Sequence, residues 1–148
     1  MTETKREQAS PRECAIIAAQ AADEKKATDI VVQEVRELIG VTDYFVIVTA
    51  ANNRQVDAII DEIEEQMRVR GGVKPLHREE SADGSWSLLD YGAVVVHVFQ
   101  PETREYYRLE TLWNDAPVMD LAAEAGLTEL RYSDRIAGLL GREAAPAE

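Results

Sequence analysis

One cysteine, Cys14, and two histidines, His77 and His97, are all that this 148-residue chain offers toward thiol or imidazole chemistry. A lone cysteine closes no internal disulfide and supplies no Cys-rich metal site. Set in an apolar helical pattern, Cys14 reads as a small buried hydrophobe rather than a reactive thiol. No apolar run approaches the roughly 18 residues of a membrane span, and the opening Met-Thr-Glu-Thr-Lys-Arg-Glu lacks the apolar stretch of a secretory signal. The chain is therefore expected in the cytoplasm, away from any membrane. Glycine-rich phosphate cradles are missing too, since Gly71-Gly72 follows a helical pattern instead of opening one. Positive charge is also scarce: 16 basic against 28 acidic residues leave a net charge of −12. Phosphate backbones repel such a chain, so direct nucleic-acid binding is disfavoured. The same charge attracts a basic protein, although solubility alone also explains it.

What is present suits one domain, long enough to bury roughly two thirds of its unfolded surface. Residues 1–9 are polar and read as a flexible N-terminus. Ser10-Pro11-Arg12-Glu13 then reads as a helix start with a capping box, and Cys14, Ile17, Ala18 and Ala21 follow helical spacing. Ile30 to Val35 and Tyr44 to Val48 are β-branched runs that read as strands. Val56, Ile59, Ile60, Ile63 and Met67 mark one face of a helix from about Asn53 to Val69, with Asp57, Asp61, Glu62, Glu64 and Glu65 on its solvated side. Val73 to His77 reads as a short edge strand because of Pro75, and Glu79 to Ser85 as a polar loop. Trp86 to Asp90 and Ala93 to Phe99 read as a hairpin turning at Tyr91-Gly92, with the glycine at positive φ. A second amphipathic helix is expected from Pro101 to Trp113, with Tyr106, Leu109 and Trp113 on one face. Residues 10–117 thus form the domain, and 118–148 an extension that is partly helical, from about Val118 to Ala125, or disordered. The element order implies an α/β fold, one mixed sheet of about five strands with helices packed on it.

Catalytic arrangements are hard to find. No serine sits in a nucleophile elbow with a base beside it. His97, inside Val94 to Phe99, reads as a hydrogen-bonded sheet histidine. Adjacent strands could bring His77, His97 and Asp90 together, but no ligand motif supports a metal there. The carboxylate pairs Asp61-Glu62 and Glu64-Glu65 lie on a solvated face with nothing to shift their pKa values. The expectation is a binding protein with no catalytic residues, cofactor or metal.

The run Trp86-Ser87-Leu88-Leu89-Asp90-Tyr91-Gly92-Ala93-Val94-Val95-Val96-His97-Val98-Phe99 closely resembles the central signature of the ribosome silencing factor, or Iojap, family. The resemblance continues through Arg104-Glu105-Tyr106-Tyr107-Arg108-Leu109-Glu110 and Leu112-Trp113. Upstream it takes in Ala27 to Ile30, Thr42 to Ile47 and Asn53 to Val56, and it covers roughly Pro11 to Asp115. It implies a nucleotidyltransferase-like fold without that fold's catalytic motif, and fold kinship alone carries no activity. It further implies docking on the large ribosomal subunit through the ribosomal protein conventionally numbered fourteen. Docking there would block joining of the small subunit and lower translation under nutrient limitation. The alternative from the same fold is a nucleotide-binding or nucleotidyltransferase-like enzyme, and a homodimer is compatible with either. Trp86, Leu88, Asp90, Tyr91 and Gly92 are the expected partner surface, with Tyr106, Leu109 and Trp113 as support or a secondary interface. Core packing is the competing reading of Trp86 and Tyr91, and for Tyr106, Leu109 and Trp113 the favoured one.

Overall fold

The computed structural model describes residues 8–141. Of the two ends expected to be flexible, residues 1–7 and 142–148 lie outside those residues, whereas Ala9 is tied down by donating to the Gly71 carbonyl at 2.9 Å and residues 118–141 of the expected extension are described. Helix α1 (Pro11–Glu24) begins with the expected capping box. Ser10 Oγ accepts from the Glu13 amide at 3.1 Å, and Glu13 Oε1 accepts from the Ser10 amide at 2.8 Å. This satisfies two otherwise orphaned donors at the helix start.

Strand β1 (Thr28–Glu34), the short helix α2 (Arg36–Ile39) and strand β2 (Tyr44–Thr49) come next. Helix α3 (Asn53–Gln66) is capped by the Asn52 side chain and buries the apolar stripe read from the sequence. It ends earlier than its hydrophobic spacing suggests, because Met67–Gly71 widens into a π turn that closes on the left-handed Gly72.

The third strand is displaced from its expected position. Pro75 donates no amide, so pairing with β4 opens just after it, where the Leu76 amide donates to the Asp90 carbonyl at 2.8 Å, and β3 spans His77–Glu80 at the sheet edge. The hairpin of β4 (Trp86–Asp90) and β5 (Val94–Phe99) stands as expected, with Gly92 at φ +88°. The five strands form one sheet in the order β1-β2-β5-β4-β3, with β2 and β5 parallel and the other pairs antiparallel. The mixed α/β architecture is therefore the one the sequence implied.

Alternation sends Ile30, Val32, Val46, Val48, Leu89, Val94, Val96 and Val98 to one face, where α1 and α3 bury them. The opposite face is covered over β1 and β2 but left open over β4 and β5. Its cover comes from α4 (Pro101–Tyr107), α5 (Leu109–Leu112) and α7 (Asp134–Leu139). The single helix expected over Pro101 to Trp113 is thus two short ones, broken where Arg108 takes a left-handed φ of +48°. Helix α6 (Leu121–Ala125) matches the expected short helix, whereas α7 had no counterpart in the sequence reading.

Candidate docking groove

On the open face, Trp86 lies opposite Phe99, Leu88 opposite His97, and Asp90 opposite Val95. Helices α4 and α5 rise beside this strip and add Tyr107, Leu109 and Leu112. Together Trp86, His97, Phe99, Tyr107, Leu109 and Leu112 line an open groove of about 280 Å³. Its rim is apolar and bare: Tyr107 is 58% exposed and Leu112 68%. Phe99 packs against Tyr107 with ring centroids 6.0 Å apart, so the groove has a stacked aromatic floor. A wall of this kind binds by excluding water from large, fairly rigid groups, as interface anchors do.

His97 sits in this floor between Phe45, met edge-on at 5.2 Å, and Phe99, stacked at 6.0 Å. The expected hydrogen bond is not made, because both neighbouring rings are apolar, and among the described residues neither imidazole nitrogen has a partner. Burial, reinforced by the nearby Arg104 charge and partly offset by Asp90, pushes its pKa down to about 4. The ring is therefore neutral at pH 7. The strands do place His77 opposite Asp90, yet among the described residues no group of three or more His, Cys, Asp or Glu could hold a metal ion.

The hairpin residues separate into different jobs. Trp86 and Leu88 are half-buried on the groove side. Asp90 Oδ1 accepts from the Gly92 amide at 2.7 Å, so this carboxylate closes the turn as well as facing the groove side. Gly92 contributes conformation rather than contact. Tyr91 corrects the sequence reading, since it packs against the α1 and α3 core on the far side of the sheet. Odd spacing from Trp86 dictates this. Burial raises the Tyr91 phenol above its ordinary pKa.

Tyr106, Leu109 and Trp113 do not share a face, because the break at Arg108 rotates α5 relative to α4. Leu109 lines the groove, Trp113 is half-buried, and Tyr106 is 80% exposed against Tyr107. Core packing, the favoured reading of all three, therefore fails for Tyr106.

Sequence reasoning missed Phe99, Tyr107 and Leu112 as groove residues, although strand alternation could have placed Phe99 beside Trp86. It also missed a buried ionic knot under the groove. Arg104, 3% exposed, donates through Nε to Glu110 Oε1 at 3.1 Å, and Glu110 has no exposed surface. Arg104 Nη1 also donates to the Thr49 hydroxyl at 2.9 Å and to the Asp29 carbonyl at 2.6 Å. Burial pulls the Arg104 guanidinium below its ordinary pKa, against the pull of Glu110 and Asp29. Nothing in the pattern of charges marked this pair as buried.

An apolar groove on an open sheet face, carried by a strongly acidic chain, is the kind of surface found on protein-docking modules. A family model described as "Ribosomal silencing factor during starvation" matches residues 8–137. The ribosomal silencing factor of Bacillus subtilis is 43% identical over 105 residues, covering 71% of this chain and 88% of that protein. The chloroplastic Iojap protein of Zea mays is 42% identical over 110 residues, 72% of this chain and 46% of that one. A crystal structure of a Chromobacterium violaceum protein superposes with a TM-score of 0.67 at 31% identity, covering 71% of this chain and 87% of that one. The chain belongs to the ribosomal silencing factor family, a regulatory class.

Proposed function

We propose that the chain docks through this groove on the large ribosomal subunit and silences translation by preventing the small subunit from joining. The observation that carries the reading is the apolar groove lined by Trp86, Phe99, Tyr107 and Leu112, with Tyr107 and Leu112 bare at its rim, on a strongly acidic molecule. Surface of that kind on a folded domain marks a binding site. A net charge of −12 selects a basic partner and speeds encounter. A basic ribosomal protein, the one numbered fourteen by the family resemblance, fits that requirement.

Trp86 and Leu88 are the anchors in this reading, with Leu109, Leu112 and Tyr107 as the second wall, while Asp90 and Gly92 hold the hairpin in shape. A stable contact needs about 800 Å² from each side, so the rim around the groove must also engage. A homodimer that used the same face would compete with the ribosome for it.

Gradient sedimentation with purified subunits tests the proposal. The protein should comigrate with the large subunit and reduce formation of the joined ribosome. Failure to comigrate, or joining that proceeds unchanged with the protein bound, would sink it.

A further inference from the structure

The C-terminal segment 117–141 does more than trail from the domain. Strand β1 is a sheet edge, and this segment occupies its free side. The Glu34 amide donates to Pro117 at 2.8 Å, Met119 donates to Val32 at 2.9 Å, and Asp29 donates to Arg131 at 3.0 Å. The edge is thereby closed at both ends.

The attachment is built from side chains as well. Tyr132 donates its hydroxyl to the Ile30 carbonyl at 2.8 Å, and Asp29 Oδ1 accepts from the Ser133 amide at 2.7 Å. Asp29 holds a left-handed φ of +50°, a costly conformation for a non-glycine residue, at the point where it grips both the segment and Arg104. Helix α7 then buries Ile136 and Ala137 against Val31.

From α7, Arg135 reaches across to the helix pair that forms one wall of the groove. Its Nη2 lies 2.7 Å from Glu110 Oε2, and its Nε donates to Glu105 Oε1 at 2.9 Å. A four-residue helix behind a left-handed residue has no stability of its own, so α5 stands where tertiary contacts put it. Two such contacts come from Gln33, which donates to the Glu110 and Trp113 carbonyls. Others meet at the Glu110 carboxylate, one oxygen held by Arg104 and the other by Arg135, whose Nη1 also donates to the Thr111 hydroxyl at 3.4 Å. A fully buried carboxylate needs both, because a charge left half-paired in the interior is strongly destabilising.

We propose that segment 117–141 is a strap that sets the geometry of the groove, with Arg135 as the positioning residue that fixes α4 and α5. This rests on the reading of the groove as the docking surface. The polar partners of Arg135 among the described residues, Glu105, Glu110 and Thr111, do not line the groove, so it acts on docking through the helices it holds. Coupling of this kind is reciprocal: a partner seated in the groove tightens the strap.

The test uses the full chain as wild type, Arg135→Gln, Arg135→Lys and Trp86→Ala. Three readouts are taken: amide exchange along the chain, thermal midpoint, and affinity for purified large subunits. Arg135→Gln is expected to speed exchange at residues 107–113 at least tenfold and to weaken subunit binding at least tenfold. Arg135→Lys should recover part of both, since it keeps a charge on Glu110 without the second contact. A merely structural role would instead accelerate exchange evenly through β1, α7 and the groove helices, and that result overturns the proposal. So does binding within twofold of wild type in Arg135→Gln while Trp86→Ala loses binding. If Trp86→Ala also binds like wild type, the docking reading falls, and exchange at 107–113 alone decides whether Arg135 fixes the helix pair.

Discussion

Trp86 and Tyr91, five residues apart on one hairpin, face opposite sides of the sheet: Trp86 lines the groove and Tyr91 packs on the α1 and α3 core. Their substitutions should therefore separate cleanly. Trp86→Ala is expected to weaken large-subunit binding by about 2 kcal/mol or more while shifting the thermal midpoint little. Tyr91→Ala should cost about 2–3 kcal/mol of stability and leave the affinity of the folded protein near wild type. Binding assays and urea melts on both variants check this, and equal losses in both readouts for Trp86→Ala would place it in the core.

His97 gives the fold a pH dependence whose sign is fixed. Its pKa falls from an ordinary 6.5 in the unfolded chain to about 4 in the folded one, so the unfolded state takes up the proton first as pH drops. The fold keeps its full advantage above pH 6.5 and loses it progressively down to about pH 4. Between pH 7 and 5 the loss attributable to this ring is about 2 kcal/mol. Urea midpoints of wild type and His97→Phe at the two pH values should show it as a steeper decline in wild type.

The buried pair of Arg104 and Glu110 should behave asymmetrically. Glu110→Leu leaves the Arg104 guanidinium buried without its carboxylate and is expected to cost about 3–5 kcal/mol. Adding Arg104→Met should restore much of that loss. Chemical denaturation of the single and double variants measures the difference, and additive losses would count against a buried pair.

Two glycines should respond in opposite directions. Gly92 needs its φ of +88°, and a Cβ there would press on Leu76 at 3.3 Å, so Gly92→Ala should destabilise by about 1–2 kcal/mol. Gly138 lies inside α7 with nothing within 4 Å of a Cβ. Gly138→Ala should therefore stabilise by up to about 1 kcal/mol. Thermal melts distinguish the two.

Calorimetric titration with ATP or CTP plus magnesium addresses the enzyme alternative. No binding heat is expected, because the groove walls are apolar and its one imidazole is wedged between phenylalanines. Tight binding with turnover would revive the nucleotide reading.

Much of the fold was legible along the chain because its signals are local. The Ser10 and Glu13 capping box, the stripe on α3 and the Tyr91-Gly92 turn each depend on spacing within a few residues. Where the sequence reading slipped, a single backbone event intervened. Pro75 moved the start of β3, Met67–Gly71 opened into a π turn, and Arg108 split a helix whose hydrophobic spacing ran on unbroken.

The sequence by itself determined the family, the mixed sheet and the hairpin that bears Trp86, since periodicity and short motifs specify which residues share a strand or helix face. Only the tertiary structure decided which sheet face stays bare, why Tyr91 leaves the groove while Tyr107 joins it, and how Arg135 reaches Glu110. Those outcomes depend on which elements cover which face, and on the ionic contacts of Arg104, Glu110 and Arg135 that join α4, α5 and α7. No periodicity in the chain encodes contacts between residues so far apart, because they form only when the sheet, the helix pair and the strap are packed together.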